Sequence, residues 1–252
     1  MQRFSNKKKD SVKLTMDFVR NNCSKDLYCH IKECPVMRLP VFGLMMRASR
    51  ILKKSGVVVD VGAGDTPYRE LFNGNVYYST DFNKSKSHKY GRIDYVCESD
   101  ILPFTDNFCD AIICTEVLEH VFNVRETIME FNRVLKPSGL VFISVPFIMG
   151  LHEEPYDFFR YTKFGLRKML LENKFKDISI KETNNGFIAM LTILAFHSKN
   201  PTSLLEYFLY YLLVVPSRLL LTHLLETIVF IDKKILKIAN YPTGYLVTAR
   251  KR

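Results

Sequence analysis

Short runs of apolar, mostly β-branched residues set the rhythm of this chain. The stretches 57–61, 76–80, 93–97, 110–114, 140–145, 176–181 and 244–249 read as strands. Between them the apolar spacing lengthens to that of helices. A helix is expected over 39–54, leading to the first strand, and a short one over 67–72, with residues 1–40 helical in part. Val124, Ile128, Phe131 and Leu135 repeat at helical spacing behind Asn123-x-x-Glu126, a capping-box pattern with Asn in place of Ser or Thr. Lys136-Pro137-Ser138-Gly139 stops that helix. Thr162 is placed to cap a further helix carrying Leu166, Met169 and Leu170. Strands alternating with helices over 57–181 predict an α/β fold with a parallel, doubly wound sheet.

Residues 186–240 break the rhythm and separate the last two strands. Their apolar runs, 187–196, 204–215 and 219–231, are divided by Pro201 and Pro216 and interrupted by Glu206, Arg218, His223 and Glu226. None reaches the roughly 18–20 uninterrupted apolar residues that a spanning helix needs. They read as amphipathic or core helices serving as a lid, a dimer face or a membrane-surface pad. The expected organisation is a basic, partly helical segment (1–54), a ligand-binding core (55–185), the apolar helical insert (186–240), and a final strand with a basic tail (241–252).

Composition bounds the rest. Of 252 residues 47% are hydrophobic, with 19 Phe and 13 Tyr, which supplies a sizeable core and excludes a disordered chain. The net charge is +10, and residues 1–54 hold 13 Lys/Arg against 4 Asp/Glu. Such a segment can meet anionic lipid, nucleic acid or an acidic substrate, although Lys7, Lys8 and Lys9 equally suit a solvated terminus. No apolar stretch follows the early lysines, so no secretory signal is expected. With three of the cysteines in strand-like or core-like stretches, a cytoplasmic protein with reduced thiols is predicted. Cys23, Cys29, His30 and Cys34 lack the tight C-x-x-C pairs of structural zinc sites, and no metal centre is expected.

The chemistry gathers at the ends of the first strands. In VVVDVGAGDTPYRE (57–70), Asp60 ends a strand and Gly62 and Gly64 allow a sharp turn with backbone open to a ligand. Thr66 is placed to cap the helix that follows, with Pro67 in its first turn. Ligands of open α/β sheets sit outside the carboxyl ends of the strands. Asp81, 21 residues after Asp60, is placed to accept from both ribose hydroxyls. Asp100 is placed to accept from an exocyclic adenine amine, with Phe82 or Ile101 packing on the base. A nicotinamide dinucleotide wants glycine where Pro67 stands, and Asp60 sits poorly beside two phosphates. An adenosine carrying an amino acid, whose ammonium would meet Asp60, matches better.

Four stretches, VVVDVGAG (57–64), YYSTDF (77–82), ESDILPFTDNFCDAIICTEVLEHV (98–121) and EFNRVLKPSGLVFISVPF (130–147), resemble those of class I S-adenosylmethionine-dependent methyltransferases of type 11, in that family's order and spacing. The resemblance covers roughly 55–182. It implies a Rossmann-like seven-stranded sheet, mostly parallel with the last strand antiparallel, and S-adenosylmethionine as cofactor. It further implies that Asp60, Gly62 and Gly64 hold the methionine end, Asp81 the ribose, and Asp100 and Ile101 the adenine, with Thr115 and Glu116 lining the cofactor near the sulfonium.

Methyl transfer is an in-line displacement in which the enzyme orients and desolvates the partners. The loop HEEPYDFFRYT (152–162) follows the fifth strand, where the acceptor should enter. His152 is the candidate base, Asp157 or Glu154 its orienting acid, and Arg160 the group that holds an acidic or hydroxylated acceptor; Asp157 and Arg160 also suit a purely structural pair with Tyr161 in the core. His120 reads as a packed histidine. The Asn/Asp-Pro-Pro-aromatic motif of enzymes that methylate flipped bases is absent, Cys114-Thr115-Glu116 standing in its place, so no nucleic-acid partner is expected. Relatives of this shape suggest O-methylation of a glycan or lipid-linked acceptor, with peripheral membrane contact or a homodimer through 186–239. A nicotinamide-linked oxidoreductase and a non-catalytic cofactor-binding subunit are the alternatives.

Overall fold

In the computed structural model, residues 14–82, 93–183 and 242–252 are described. The chain opens with three helices: α1 (Met16–Asn22), α2 (Lys25–Glu33) and α3 (Pro35–Ile51). Thr15 and Ser24 cap the first two, their hydroxyls accepting from Phe18 N and Leu27 N. α3 begins four residues before the expected 39, because Pro35 suits a first helical position, and stops at Ile51 rather than 54.

The strands are β1 (Val57–Val61), β2 (Val76–Asp81), β3 (Tyr95–Val96), β4 (Cys109–Thr115), β5 (Leu135–Pro146), β6 (Phe175–Thr183) and β7 (Gly244–Lys251). They form one seven-stranded sheet in the order β3-β2-β1-β4-β5-β7-β6. β1 to β5 pair in parallel, and β7 runs antiparallel between β5 and β6. The Rossmann-like expectation holds, including the reversed last strand. The third strand is shorter than expected.

Two helices complete the described fold, α4 (Val124–Val134) and α5 (Lys163–Glu172). The period-2 alternation of the strands decides which face each helix covers. Val59, Val61, Ile112, Cys114, Val141, Ile143 and Val145 point into a layer with Ile128, Phe131 and Val134 of α4 and Leu166 and Leu170 of α5. Their neighbours Val58, Ala111, Ile113 and Phe142 point the other way, against Val19, Leu27, Ile31, Phe42 and Met45 of α1–α3. The basic segment therefore supplies one whole layer of the core from residue 14 onward.

Three local expectations are corrected. Thr66 does not cap: it stands at φ +53°, its N–H donates to Ala63 O, and a single 3-10 turn (Arg69–Phe72) replaces the helix expected over 67–72. Asn123 precedes α4 without a side-chain cap bond, and its amide nitrogen donates to Asp100 Oδ2 at 3.0 Å. Residues 136–139 do not stop the helix; α4 ends at Val134 and the chain passes directly into β5, with Ser138 at φ +64°. The cap at Thr162 is as expected, its hydroxyl accepting from Gly165 N at 3.1 Å.

β6 and β7 are paired to their ends, with Thr183 opposite Gly244. Thr243 N donates to Thr183 O at 2.9 Å, and the two buried threonine hydroxyls lie 2.9 Å apart. The insert expected over 186–240 and Lys7, Lys8 and Lys9 lie outside the described residues. Among the described residues no helix is long and apolar enough to cross a membrane.

Candidate active site

The carboxyl ends of β3, β2, β1 and β4 lie side by side, at the point where the strand order reverses. The chain leaves β1 through Gly62 and Gly64, at φ +68° and +51°. A Cβ on Gly62 would lie 2.3 Å from Val117 Cγ2, so packing from β4's exit demands this glycine before any ligand does. Asp81, at the end of β2, braces the same turn: its Oδ2 accepts from Gly64 N at 2.7 Å and its Oδ1 from Phe82 N at 2.6 Å. Burial nevertheless raises its carboxyl above the ordinary value, outweighing those two bonds.

Asp60 is buried, at 2% exposure. Tyr77 O–H donates to its Oδ2, while Oδ1 has no hydrogen-bond partner. Burial pushes this carboxyl up to about 7, against the lowering effect of the Tyr77 bond and with help from the Asp81 charge. Asp100 repeats the arrangement: Oδ2 is held by Asn123, and Oδ1 is buried without a partner. Beside it Ile101 is 74% exposed, and Phe82 lies edge-on to Tyr156, ring centroids 6.3 Å apart. Two separate buried oxygens thus lack a donor at this end of the sheet, and a ligand bringing two distinct N–H groups would satisfy both.

Thr115 ends β4, and Glu116 follows at φ +56°, a conformation rare outside glycine. Glu116 N donates to Ser144 O at 3.0 Å and its Oε1 accepts from Ser144 Oγ at 2.7 Å. Burial raises its carboxyl. The chain then makes a 3-10 turn (Leu118–His120).

The loop over 148–162 is clasped onto that turn. Phe158 N and Phe159 N both donate to Glu119 O, at 2.8 and 3.1 Å, and Tyr161 O–H donates to Leu118 O at 3.1 Å. Asp157 and Arg160 form a two-pronged pair at 2.6 and 2.7 Å, the carboxylate side chain 1% exposed. Arg160 also donates to the carbonyls of Phe159, Gly150 and Met149, so its guanidinium fastens the loop to itself. Burial acts to raise the Asp157 carboxyl, but the Arg160 and His152 N–H bonds outweigh it and hold it below the ordinary value. His152 sits over this pair, its Nδ1 3.1 Å from Gly150 O and 3.3 Å from Asp157 Oδ2. A carbonyl can only accept, so Nδ1 carries the proton and Nε2 is the ring's free acceptor.

Two residues set aside or passed over in the sequence join His152. The rings of His120 and His152 meet edge to face with centroids 4.7 Å apart, and the buried Glu119 brings its Oε1 within 3.7 Å of His120 Nε2. The adjacent Glu119-His120 pair was visible in the sequence, but their meeting with His152 depends on the later loop being clasped onto the 3-10 turn through Glu119 O. By contrast, Cys23, Cys29, His30 and Cys34 are not brought together as a set of ligands among the described residues; Cys29 is exposed and His30 lies edge-on to Tyr68. A cleft of about 260 Å³ between α3 and the β6–β7 pair, lined by Leu44, Arg47, Lys181 and Leu246, holds none of these groups.

The family description "Methyltransferase domain" matches residues 59–143, the segment that carries Asp60, Asp81, Asp100, Thr115 and Glu116. That segment is similar to methyltransferase domains of class I, type 11. S-adenosylmethionine is the cofactor of that family. An uncharacterized protein of Methanocaldococcus jannaschii is 33% identical over 96 residues, 37% of this chain and 42% of the relative. The aligned part thus spans less than half the length of that curated relative. Among solved structures, a SAM-dependent methyltransferase from Archaeoglobus fulgidus is similar at 19% identity and TM-score 0.56, covering 85% of this chain and 94% of that one. A phosphoethanolamine N-methyltransferase 2 from Haemonchus contortus, in complex with S-adenosyl-L-methionine, is similar at 15% identity and TM-score 0.52, covering 84% and 52%. At these identities the two structures speak for the fold alone.

Proposed function

We propose that the protein transfers a methyl group from S-adenosylmethionine to a hydroxyl of a glycan or lipid-linked acceptor. The observation that supports it best is the pair of partnerless buried oxygens, Asp60 Oδ1 near the end of β1 and Asp100 Oδ1 past the end of β3, with β2 between the two strands. The residues fit the cofactor in kind. Asp60 takes the ammonium, Asp81 the ribose hydroxyls through its remaining lone pairs, Asp100 the adenine amine, and exposed Ile101 the face of the base. Gly62 and Gly64 shape the turn around the methionine end, with Thr115 and Glu116 at the end of β4. A pyrophosphate would instead meet the Asp60 carboxyl, which argues against a nicotinamide dinucleotide.

When bound, the cofactor supplies an electrophilic methyl on a sulfonium. The chain's contribution is to position and to keep water out. The free Nε2 of His152 takes the acceptor's proton, with Nδ1–H anchored on Gly150 O and facing Asp157. Arg160 positions this loop through Asp157 rather than holding the acceptor. Calorimetric titration tests the first half: S-adenosylmethionine should bind and NAD should not. Radiolabel transfer from the cofactor to saccharide and lipid-linked fractions tests the second. Tight binding without any methylated product would leave a non-catalytic cofactor-binding subunit.

A further inference from the structure

Glu119 poses an unanswered question in polar chemistry. Its side chain is fully buried, and neither carboxylate oxygen has a hydrogen-bond partner. The closest basic atom is His120 Nε2, 3.7 Å from Oε1 and too far for a hydrogen bond. Arg160 is taken up by Asp157, and Glu116 adds charge of the same sign. An isolated buried carboxylate is costly, and it is relieved either by a proton or by a cation.

Two features of the surroundings favour the cation. His120 Nδ1 lies 2.9 Å from Tyr156 O and His152 Nδ1 lies 3.1 Å from Gly150 O. Both rings therefore carry their proton on Nδ1, with the carbonyl fixing the tautomer, and both offer a lone pair at Nε2. That is how metal-ligating imidazoles are commonly held. The ligand atoms of Glu119, His120 and His152 all lie within 4.8 Å of one another. Bonds of about 2.0–2.2 Å around one ion need closer spacing, which the half-exposed His152 supplies by turning about its two side-chain torsions.

We propose that Glu119, His120 and His152 bind a divalent first-row transition ion of the zinc class. Two imidazoles and one carboxylate select such an ion over Mg²⁺ or Ca²⁺, which prefer all-oxygen shells. Three protein ligands leave a coordination position open for water or an oxygen ligand. The site needs neither cofactor nor acceptor, and so goes beyond methyl transfer. It also competes with it at one atom, because an ion on Nε2 of His152 removes that nitrogen as a base.

The test uses the full chain, stripped with chelator and titrated with Zn²⁺ and then Co²⁺ in the absence of cofactor. Uptake of one ion per chain is expected at micromolar affinity or tighter, with visible Co²⁺ bands and no thiolate-to-cobalt charge transfer. Glu119→Gln and His152→Ala should each weaken binding at least about tenfold. Zn²⁺ should raise the Tm of the unsubstituted protein more than that of His152→Ala. Circular dichroism of the metal-free variants reports folding, and His152→Ala, on a half-exposed loop residue, carries the test if Glu119→Gln does not fold. Absence of stoichiometric uptake, a thiolate band, or unchanged affinity in the folded variants would overturn the site. Titration of the same samples with S-adenosylmethionine keeps that result separate from the fate of the methyl-transfer reading.

Discussion

The two halves of the site treat their charges in opposite ways. At the ends of β1 and β3, Asp60 and Asp100 each keep one buried oxygen without a donor. In the loop over 148–162, Asp157 and Arg160 satisfy each other and the loop's own carbonyls. A region with unmet acceptors is organised for a ligand that brings donors. A region whose ions are mutually satisfied is organised to hold a shape. The acid of the first half and the acid of the second should therefore respond differently to pH, to substitution and to cofactor.

The largest effect is expected from Asp60. Its carboxyl stands near 7 in the folded chain against 3.8 ordinarily. Between those values the unfolded chain ionises while the folded one keeps its proton, so this contribution is full below about 3.8 and falls as pH rises to about 7. The fall amounts to roughly 4 kcal/mol. Asp60→Asn should flatten it, as urea unfolding at successive pH values would show. Because an ammonium favours the ionised acid, cofactor affinity should rise with pH up to about 7, with proton release visible when calorimetry is repeated in two buffers. A stability profile that Asp60→Asn leaves unaltered would erase the contrast between the halves.

Arg160→Ala comes next. It leaves Asp157 buried beside a histidine, and a loss of about 3 kcal/mol of stability is expected. Arg160→Lys should recover only part of it, since an ammonium cannot reproduce the two-pronged contact. A stable variant with a raised acceptor KM would instead make Arg160 an acceptor-binding group. Asp81→Ala should weaken S-adenosylmethionine by about 2 kcal/mol or more and also loosen the turn, because Gly64 N and Phe82 N lose their acceptor. Identical affinity in a folded Asp81→Ala would take the ribose away from it. The smallest change is in His152→Ala, where stability should move by less than about 1 kcal/mol while turnover drops and cofactor affinity holds. Full turnover in that variant would place the proton's acceptor elsewhere.

These contrasts were unevenly legible in the sequence. The strand pattern gave the sheet nearly to the residue at β1, because a branched run bounded by Gly and Asp has one reading. Asp60 and Asp81 could be located for the same reason. What each acid does with its oxygens could not, since Tyr77 reaches Asp60 across the β1–β2 pairing and Asn123 reaches Asp100 from the start of α4. Asn123 also shows why the capping pattern misled: the pattern fixes spacing, while the amide nitrogen donates to a distant carboxylate. The sequence offers Gly62 as clearance for a ligand, yet Val117, beyond the far end of β4, sets its size limit. Glu119 and His120 were in plain view, but their convergence with His152 depends on a loop 30 residues later folding back over the 3-10 turn.

The Thr183–Thr243 contact has a consequence for anyone redesigning the chain. Because β6 and β7 pair up to Thr183 and Gly244, these two strand ends stand side by side, like the two arms of a hairpin whose tip has been cut open. Whatever is spliced there starts from a junction the sheet already closes. A turn of a few residues joining the two strand ends would leave every described strand pairing available. The same junction is a natural port for grafting foreign sequence, at the margin of the sheet remote in order from β1 and β2.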